Sequence, residues 1–197
     1  MNSKIDIINS GLIRIGSRLI TSLTDDNKAA RLCSVRYEPC KRAVLRMHPW
    51  NCAIKRTTLS PLSTTPDFGY EYAFTLPSDC LRVLAINPDE QTDYRIEGRT
   101  VLYDGTTIYL KYIYDIADPT GLDVLCAEAL GCYIAWDCAY ALTESVVIKD
   151  EAWKDFIRLI SKAKSVDAKE EPTVEVLAEE WLESRESETI NSFRGDR

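Results

Sequence analysis

A chain of 197 residues, 45% hydrophobic and 28% charged, has the composition of one soluble globular domain, which excludes a disordered or fibrous protein. The first residues, Met1–Ile15, mix Lys4, Asp6 and Asn9 with apolar side chains and so lack the uninterrupted apolar region of a secretion signal. No later stretch is expected to span a bilayer. We therefore expect a protein that is made and kept in the cytosol.

The net charge of −7 combines two parts of opposite sign. Residues 1–60 hold 11 Lys and Arg against 4 Asp and Glu, and the remainder holds 13 against 27. A basic first third is a feature of nucleic-acid-binding proteins. The alternative is that basic helices pair with acidic ones in the same chain or in a neighbouring subunit. The second interpretation is favoured, because the basic residues are dispersed and lack interleaved aromatic residues for stacking on bases.

The cysteines are seven in number and include no CxxC pair. An odd count without an export signal favours reduced thiols packed as small hydrophobic residues over a disulfide framework. The usual ligand spacings of a zinc site are absent, so neither a metal site nor a cofactor site is predicted. The seven are Cys33, Cys40, Cys52, Cys80, Cys126, Cys132 and Cys138.

Two amphipathic helices are predicted in the first quarter of the chain. Residues 4–20 form the first, in which Gly11 and Gly16 either weaken the helix or let another helix approach. The second begins at an N-cap within Thr24–Asp26 and runs to about Met47, with Pro39 predicted to kink or split it. The expected buried stripes are Ile5, Ile8, Leu12, Ile15 and Leu19, and then Ala29, Cys33, Tyr37, Cys40, Val44 and Met47.

A β region follows a Ser/Thr/Pro-rich connection. Alternation over Tyr70–Leu76 and the apolar run Leu81–Ile86 each predict a strand. The stretch from Arg95 to Tyr114 is predicted to be a meander, in which Asp104-Gly105 closes a two-residue hairpin because both turn residues need positive φ.

Two further helices are predicted, over Leu122–Leu142 and from Glu144 to about Ala168, the latter with Trp153, Phe156, Ile157, Ile160 and Ala163 facing inward. The predicted fold is α+β, a four-helix bundle interrupted between helices 2 and 3 by a small, mostly antiparallel sheet, with an extended C-terminal tail. The predicted boundaries are 1–49 and 117–171 for the bundle, 50–116 for the β subdomain and 172–197 for the tail. Apolar residues of that tail, proposed as a partner interface, are Val174, Leu177, Trp181 and Leu182.

The sequence predicts no enzyme. His48 is the only histidine, and no carboxylate lies three or four residues from it along the chain to orient it as a base. Glycine-rich phosphate loops, the HExxH and GxSxG patterns and EF-hand loops are absent. Adjacent acidic pairs such as Glu179 and Glu180 are typical of a solvated surface and do not flank a substrate cleft.

One segment carries a recognisable signature, the run from His48 through Pro49, Trp50 and Asn51 to Arg56. It resembles the HPWNFAxKR-type motif of the tail tubular protein A family, the head-to-tail adaptors of short-tailed bacteriophages (podoviruses). Further pieces are similar in order: Phe68–Tyr72, Leu76-Pro77-Ser78-Asp79 with Cys80–Val83, and Tyr112 followed by Asp118-Pro119. The likeness covers roughly residues 3–170. Cys52 stands where the family commonly has an aromatic residue.

The resemblance implies a structural virion protein of the tail or neck, assembled in the bacterial host cytoplasm. It implies a ring, dodecameric in the virion, that joins the portal protein to the tail nozzle (tail tubular protein B type), with free copies monomeric until assembly. Genomic DNA would pass through the lumen without sequence-specific binding, and no membrane is involved. We hypothesise that the tail after Pro172 orders on the portal and that loops of the β subdomain contact the nozzle.

Both motifs are interpreted as architectural. Trp50 is expected to fill the junction between bundle and sheet, Pro49 to fix the exit angle and Asn51 to satisfy carbonyls at the end of the second helix. In the Leu76-Pro77-Ser78-Asp79 turn, Ser78 or Asp79 is expected to accept backbone hydrogen bonds. Two other functions remain open: a nucleic-acid-binding module that uses Arg31, Arg36, Lys41, Arg42 and Arg46, and a tail-associated cell-wall hydrolase.

Overall fold

The computed structural model describes residues 3–87 and 93–170. The chain divides into a unit of Met1–Asp167 and a unit of Ala168–Arg197, and the account below concerns the first. Within the described residues the fold is α+β, with four α-helices and two small antiparallel sheets. The helices are α1 (Lys4–Arg14), α2 (Lys28–Met47), α3 (Val124–Thr143) and α4 (Val146–Asp167).

Helix α1 is shorter than predicted. Ser3 and Asp6 form a capping box at its start, and the helix ends at Arg14 because Gly16 takes a left-handed conformation with φ of 66°. Asn9 then binds the backbone of Ile20 through both its amide nitrogen and its oxygen, which folds the chain back on the helix. As a result Ile20 is buried, whereas Leu19, predicted to be inside, is half exposed.

Helix α2 ends where predicted, but its N-cap is not within Thr24–Asp26. Its N-cap is Asn27, whose side chain accepts from the Ala30 amide at 2.8 Å, because Asp25 already accepts from the amides of Thr21 and Ser22. Pro39 does not split the helix. Pro39 and Val35 both lie on the exposed side, so the Val35 carbonyl that Pro39 leaves without a donor can bind water.

Helix α3 lies at the centre of the helical body and packs against α1, α2 and α4. Contrary to expectation, it is long and apolar enough to cross a membrane by length and composition, with a mean hydropathy of 1.2 over its best window. The fold buries 56% of that window, which is typical of a core helix. Gly11 of α1 lies against the backbone of Gly131 of α3, which confirms the interpretation that a glycine lets another helix approach.

The predicted single sheet is wrong, because the strands form two sheets of three. One has the order β1 (Ile54–Leu59), β6 (Ile108–Tyr114), β3 (Cys80–Ile86). The other has the order β2 (Tyr72–Thr75), β5 (Thr100–Tyr103), β4 (Arg95–Glu97). All neighbours are antiparallel, and a hydrophobic cluster that includes Phe74, Val101, Ile108 and Leu110 joins the two sheets.

The hairpin predicted at Asp104-Gly105 does not form. Neither residue has the positive φ that a two-residue turn of this kind needs, and β5 and β6 belong to different sheets. Asp104 instead accepts a hydrogen bond from the Glu71 amide at 2.9 Å. The tight turn lies at Gly98, with φ of 60°, between β4 and β5.

Candidate functional site

The signature segment lies where α2 gives way to the first sheet. His48 ends α2, Pro49 follows, and a short 3-10 helix over Asn51–Ala53 leads into β1. The Trp50 side chain is fully buried in the helical core, and its Nε1 donates to the Val44 carbonyl at 3.1 Å. The His48 ring meets the Trp50 indole edge-on, at a centroid distance of 4.9 Å.

Asp167, the last residue of α4, connects the signature segment to the C-terminal end of α4. Its Oδ2 lies 2.9 Å from His48 Nε2, and its Oδ1 accepts from the Asn51 amide at 3.1 Å. The Asn51 side chain donates to the Asp167 backbone carbonyl at 2.9 Å. Asn51 therefore satisfies the carbonyl of a helix end, but that of α4 and not of α2 as expected.

Sequence reasoning missed Asp167, because an acidic residue 119 positions from His48 carries no local signal. A His–Asp pair also occurs in hydrolase triads, where the carboxylate binds one ring nitrogen and a hydroxyl or thiol nucleophile binds the other. Among the hydrogen bonds of the described residues, none joins the His48 ring to a hydroxyl or thiol. What the arrangement does is hold three chain segments together.

The second motif, Leu76 to Asp79, forms a turn that joins the two sheets. The Cys80 amide donates to the Pro77 carbonyl at 2.9 Å, and the side chain of Arg99 donates to the same carbonyl. The Asp79 side chain accepts from Lys55 at 3.0 Å and Tyr112 at 3.2 Å, not from the backbone amides expected for a local turn. The bond to Asp79 raises the pKa of Lys55.

A buried lysine is the polar centre of the helical body. Lys41 is 3% exposed, and its Nζ donates to the Ile116 carbonyl at 2.7 Å. The same ammonium group lies 2.7 Å from Glu38 and 2.9 Å from Asp115. Burying a charge in this way is tolerated only when its donors are satisfied, so the network fixes α2 against the segment that enters α3.

The basic residues proposed as nucleic-acid contacts are largely engaged within the chain. Arg36 binds Asp137 of α3 through two nitrogens, at 2.6 and 3.0 Å, and this bond raises the pKa of Arg36. Arg42 binds Asp115 at 2.7 Å, Lys41 is buried, and Arg46 donates to the Leu81 carbonyl. Arg31 lies 3.6 Å from Asp26 in an exposed pair. The predicted pairing of basic helices with acidic groups of the same chain is thus observed.

The seven cysteines are free, six of them buried and Cys52 partly exposed, which confirms their prediction as packed thiols. Burial, with Asp137 nearby, raises the pKa of Cys40 to about 12. A thiol hydrogen bond with Cys33, together with burial, raises the pKa of Cys138. Within residues 3–87 and 93–170, no group of three or more His, Cys, Asp and Glu side chains is placed to hold a metal ion.

Large apolar side chains are exposed at several places on the described residues, among them a stripe of α4 and the loop before β2. Val146, Trp153 and Ile157 lie along one stripe of α4, with 58%, 39% and 44% of their surfaces exposed, so the prediction that Trp153 and Ile157 face inward is wrong. Trp153 packs against Trp136 at a centroid distance of 4.8 Å and against Phe156 at 5.4 Å. Phe68, in the loop before β2, is 88% exposed. The tail residues Val174, Leu177, Trp181 and Leu182 lie outside the described residues.

No known protein-family model matches the chain, and no curated protein sequence matches it.

Proposed function

We propose that this chain is a non-enzymatic structural subunit of a short-tailed phage virion, the head-to-tail adaptor of the tail tubular protein A type. In this proposal the helices form a four-helix bundle, and copies assemble into a twelve-membered ring between the portal and the tail nozzle. Two observations support the proposal: residues 3–170 resemble the tail tubular protein A family, and the signature residues bind other parts of the same chain.

The observation that carries the proposal is that the polar atoms of the signature residues bind other parts of the same chain. His48, Trp50 and Asn51 contact Val44 and Asp167, and together they tie the end of α2, the entry to β1 and the end of α4 into one junction. Residues of an active site would present polar atoms to a cleft. This junction fixes the helices to the β subdomain. Such a fixed arrangement suits a subunit that contacts several neighbours.

Exposed apolar side chains supply candidate contacts for those neighbours. The α4 stripe of Val146, Trp153 and Ile157 is suited to pack against another copy, since tryptophan and apolar residues dominate protein interfaces. Phe68, in a loop of the β subdomain, is suited to contact the nozzle. The net charge of −7 suits a lumen through which DNA must slide without being held.

The ion pairs of α2 argue against the nucleic-acid-binding alternative. Binding phosphates with Arg36, Lys41 and Arg42 would require separating them from Asp137 and Asp115. The hydrolase alternative has the His48–Asp167 pair but no nucleophile on it among the described residues. Zymography of purified protein on cell-wall material tests that alternative directly, and a cleared zone would contradict the adaptor proposal.

The experiment that tests the proposal is a mass measurement of the purified chain with and without the portal protein of the same phage. We expect a small species alone and growth to a ring-sized complex only when portal is added. Absence of any complex with portal, over a range of protein and salt concentrations, would contradict the proposal.

A further inference from the structure

Three arginines converge on a groove where α2 meets both sheets. Arg46 of the last turn of α2, Arg82 of β3 and Arg99 of the turn between β4 and β5 line this groove, whose volume is about 460 Å³. Its floor is apolar and consists of Leu76, Leu81, Val83 and Ile96. We call it the arginine groove.

Within residues 3–87 and 93–170, no carboxylate forms an ion pair with the arginines of the arginine groove. Each guanidinium donates to a backbone carbonyl: Arg46 to that of Leu81, Arg82 to that of Arg46 at 3.0 Å and Arg99 to that of Pro77. In the described part of the chain none of the three forms an ion pair, whereas Arg14, Arg36 and Arg42 all do. A guanidinium has five N–H donors, so each retains donors for an incoming carboxylate.

A second observation concerns the charges that act on Cys80 in the groove. Burial raises the pKa of Cys80, which lines the groove; the charges of Arg99 and Arg46 act to lower this pKa and that of Asp79 acts to raise it. Among the described residues that line the groove, none is acidic. The site therefore offers three cations around apolar side chains, an arrangement complementary to a peptide that alternates acidic and apolar residues.

The chain itself contains such a peptide. Residues 173–183 hold four glutamates, no lysine or arginine, and the apolar residues Val174, Val176, Leu177, Trp181 and Leu182. The glutamates are Glu175, Glu179, Glu180 and Glu183. Tryptophan and arginine are the side chains most often responsible for interface affinity, and here one partner supplies each.

We propose that residues 173–183 of one copy bind in the arginine groove of a neighbouring copy. The inference rests on the proposed function, because it requires that copies of the chain assemble side by side. It assigns this segment to a contact between copies, in place of the portal contact suggested by the resemblance alone. Carboxylates of the segment pair with Arg46, Arg82 and Arg99, and Trp181 covers the floor between them.

The test uses the full chain with Trp181 replaced by the photo-crosslinking residue p-benzoylphenylalanine, mixed with ¹⁵N-labelled wild-type chain. On irradiation we expect crosslinks from position 181 of the unlabelled chain to ¹⁵N peptides that contain Leu81–Val83 or Ile96–Arg99. Crosslinks confined to peptides of the same isotope would contradict binding between copies, as would crosslinks to other surfaces. Transfer of the crosslinks to the portal, when portal is added, would restore the hypothesis drawn from the resemblance.

Charge variants test the chemistry of the contact. Arg46→Gln, Arg82→Gln and Arg99→Gln combined keep side-chain donors for the three carbonyls but remove the charges, and should lower the crosslink yield about tenfold. The control is Arg56→Gln with Arg95→Gln, two exposed arginines that do not line the groove and should leave the yield unchanged. Equal losses in the two variants would overturn the inference.

A pair of charge-reversed variants tests whether misfolding is the cause of any loss of crosslinking. Chains with Arg46, Arg82 and Arg99 changed to Glu should not crosslink alone, but should do so when mixed with chains in which Glu175, Glu179 and Glu180 are changed to Arg. Failure of this rescue contradicts the groove contact. If portal-dependent ring assembly persists in that case, the proposed function stands without the groove contact; if it is absent from wild type as well, the proposed function fails by itself.

Discussion

At the scale of single residues, Lys41 has the environment that departs furthest from the usual one for its type. A lysine that is 3% exposed is stable only because Glu38, Asp115 and the Ile116 carbonyl surround its ammonium group. Arg42, the next residue, binds the same Asp115 from a position that is 59% exposed. Lys41 and Arg42 thus allow a buried cation and an exposed cation that bind the same carboxylate, that of Asp115, to be compared.

We expect Lys41→Met to lower the free energy of unfolding by about 3 kcal/mol, because it removes the buried ammonium that bridges Glu38 and Asp115 and leaves the Ile116 carbonyl without its donor. Arg42→Met should cost under about 1 kcal/mol, since solvent screens the exposed pair. Urea unfolding followed by circular dichroism measures both. Equal losses would show that the Lys41 network is no more important than a surface pair.

Glu38 gives the chain a pH dependence in the acid range. Burial raises the pKa of Glu38, but hydrogen bonds from Lys4 and Lys41 outweigh that effect and hold the pKa below its ordinary value of 4.5. A carboxyl with a lowered folded-state pKa stabilises the fold above its ordinary pKa, and that contribution is lost as the pH falls through the folded-state pKa. We therefore expect Glu38→Gln to be less stable than wild type at neutral pH, with the difference shrinking below the ordinary pKa.

The measurement for Glu38 is urea unfolding of wild type and Glu38→Gln at neutral pH and at about pH 3. Exposed Glu97→Gln on β4, outside the network, is the control and should show no such change. A difference between wild type and Glu38→Gln that stays constant with pH would contradict the assignment.

At the scale of elements, the crossing of α1 and α3 depends on two glycines. A β-carbon at Gly11 would meet the Gly131 backbone carbonyl, and one at Gly131 would lie 3.0 Å from the Ile7 carbonyl. We expect Gly11→Ala to destabilise the fold by about 2 kcal/mol, because helix backbones cannot move apart without disturbing the core. Thermal unfolding checks this, and Ser161→Ala on the exposed side of α4 should leave the midpoint unchanged.

The outer stripe of α4 belongs to the same scale. Ile157→Lys should leave thermal unfolding unchanged, because the side chain is 44% exposed, but should lower portal-dependent assembly about tenfold if the stripe packs against another copy. Ser165→Lys, exposed on another side of α4, adds the same charge and should assemble normally. The mass of the complex with portal distinguishes the two variants.

At the scale of the whole molecule, ion pairs within the fold offset part of the charge asymmetry of the sequence. The basic residues Arg14, Arg36, Lys41 and Arg42 meet the acidic residues Glu128, Asp137 and Asp115. We therefore expect double-stranded DNA to bind more weakly than about 10 μM at physiological salt, as fluorescence anisotropy with labelled duplex would measure. Micromolar or tighter affinity whose logarithm falls with the logarithm of salt concentration would favour the nucleic-acid-binding alternative.

The sequence by itself determined the number of helices in the described part of the chain and most of their inner faces. Periodicity located α2, α3 and α4 to within a few residues, because a helix that packs on one side carries its apolar residues at a fixed local spacing. It also singled out His48–Asn51 as a junction, since Pro49 and Trp50 mark the end of α2 locally. The strand β2 followed from alternation of apolar and polar residues, and β3 followed from a short apolar run.

Only the tertiary structure decided which strands pair and what the junction binds. Asp104-Gly105 has the composition of a hairpin turn, yet β6 pairs with β1 and β3 because partners distant in sequence bury both of its edges. Asp167 reaches His48 and Asn51 from 116 or more residues away. The exposure of Trp153 and Ile157 depends on how far α3 covers α4. Contacts of this kind join residues with no local pattern in common, and hydrophobicity alone does not encode them.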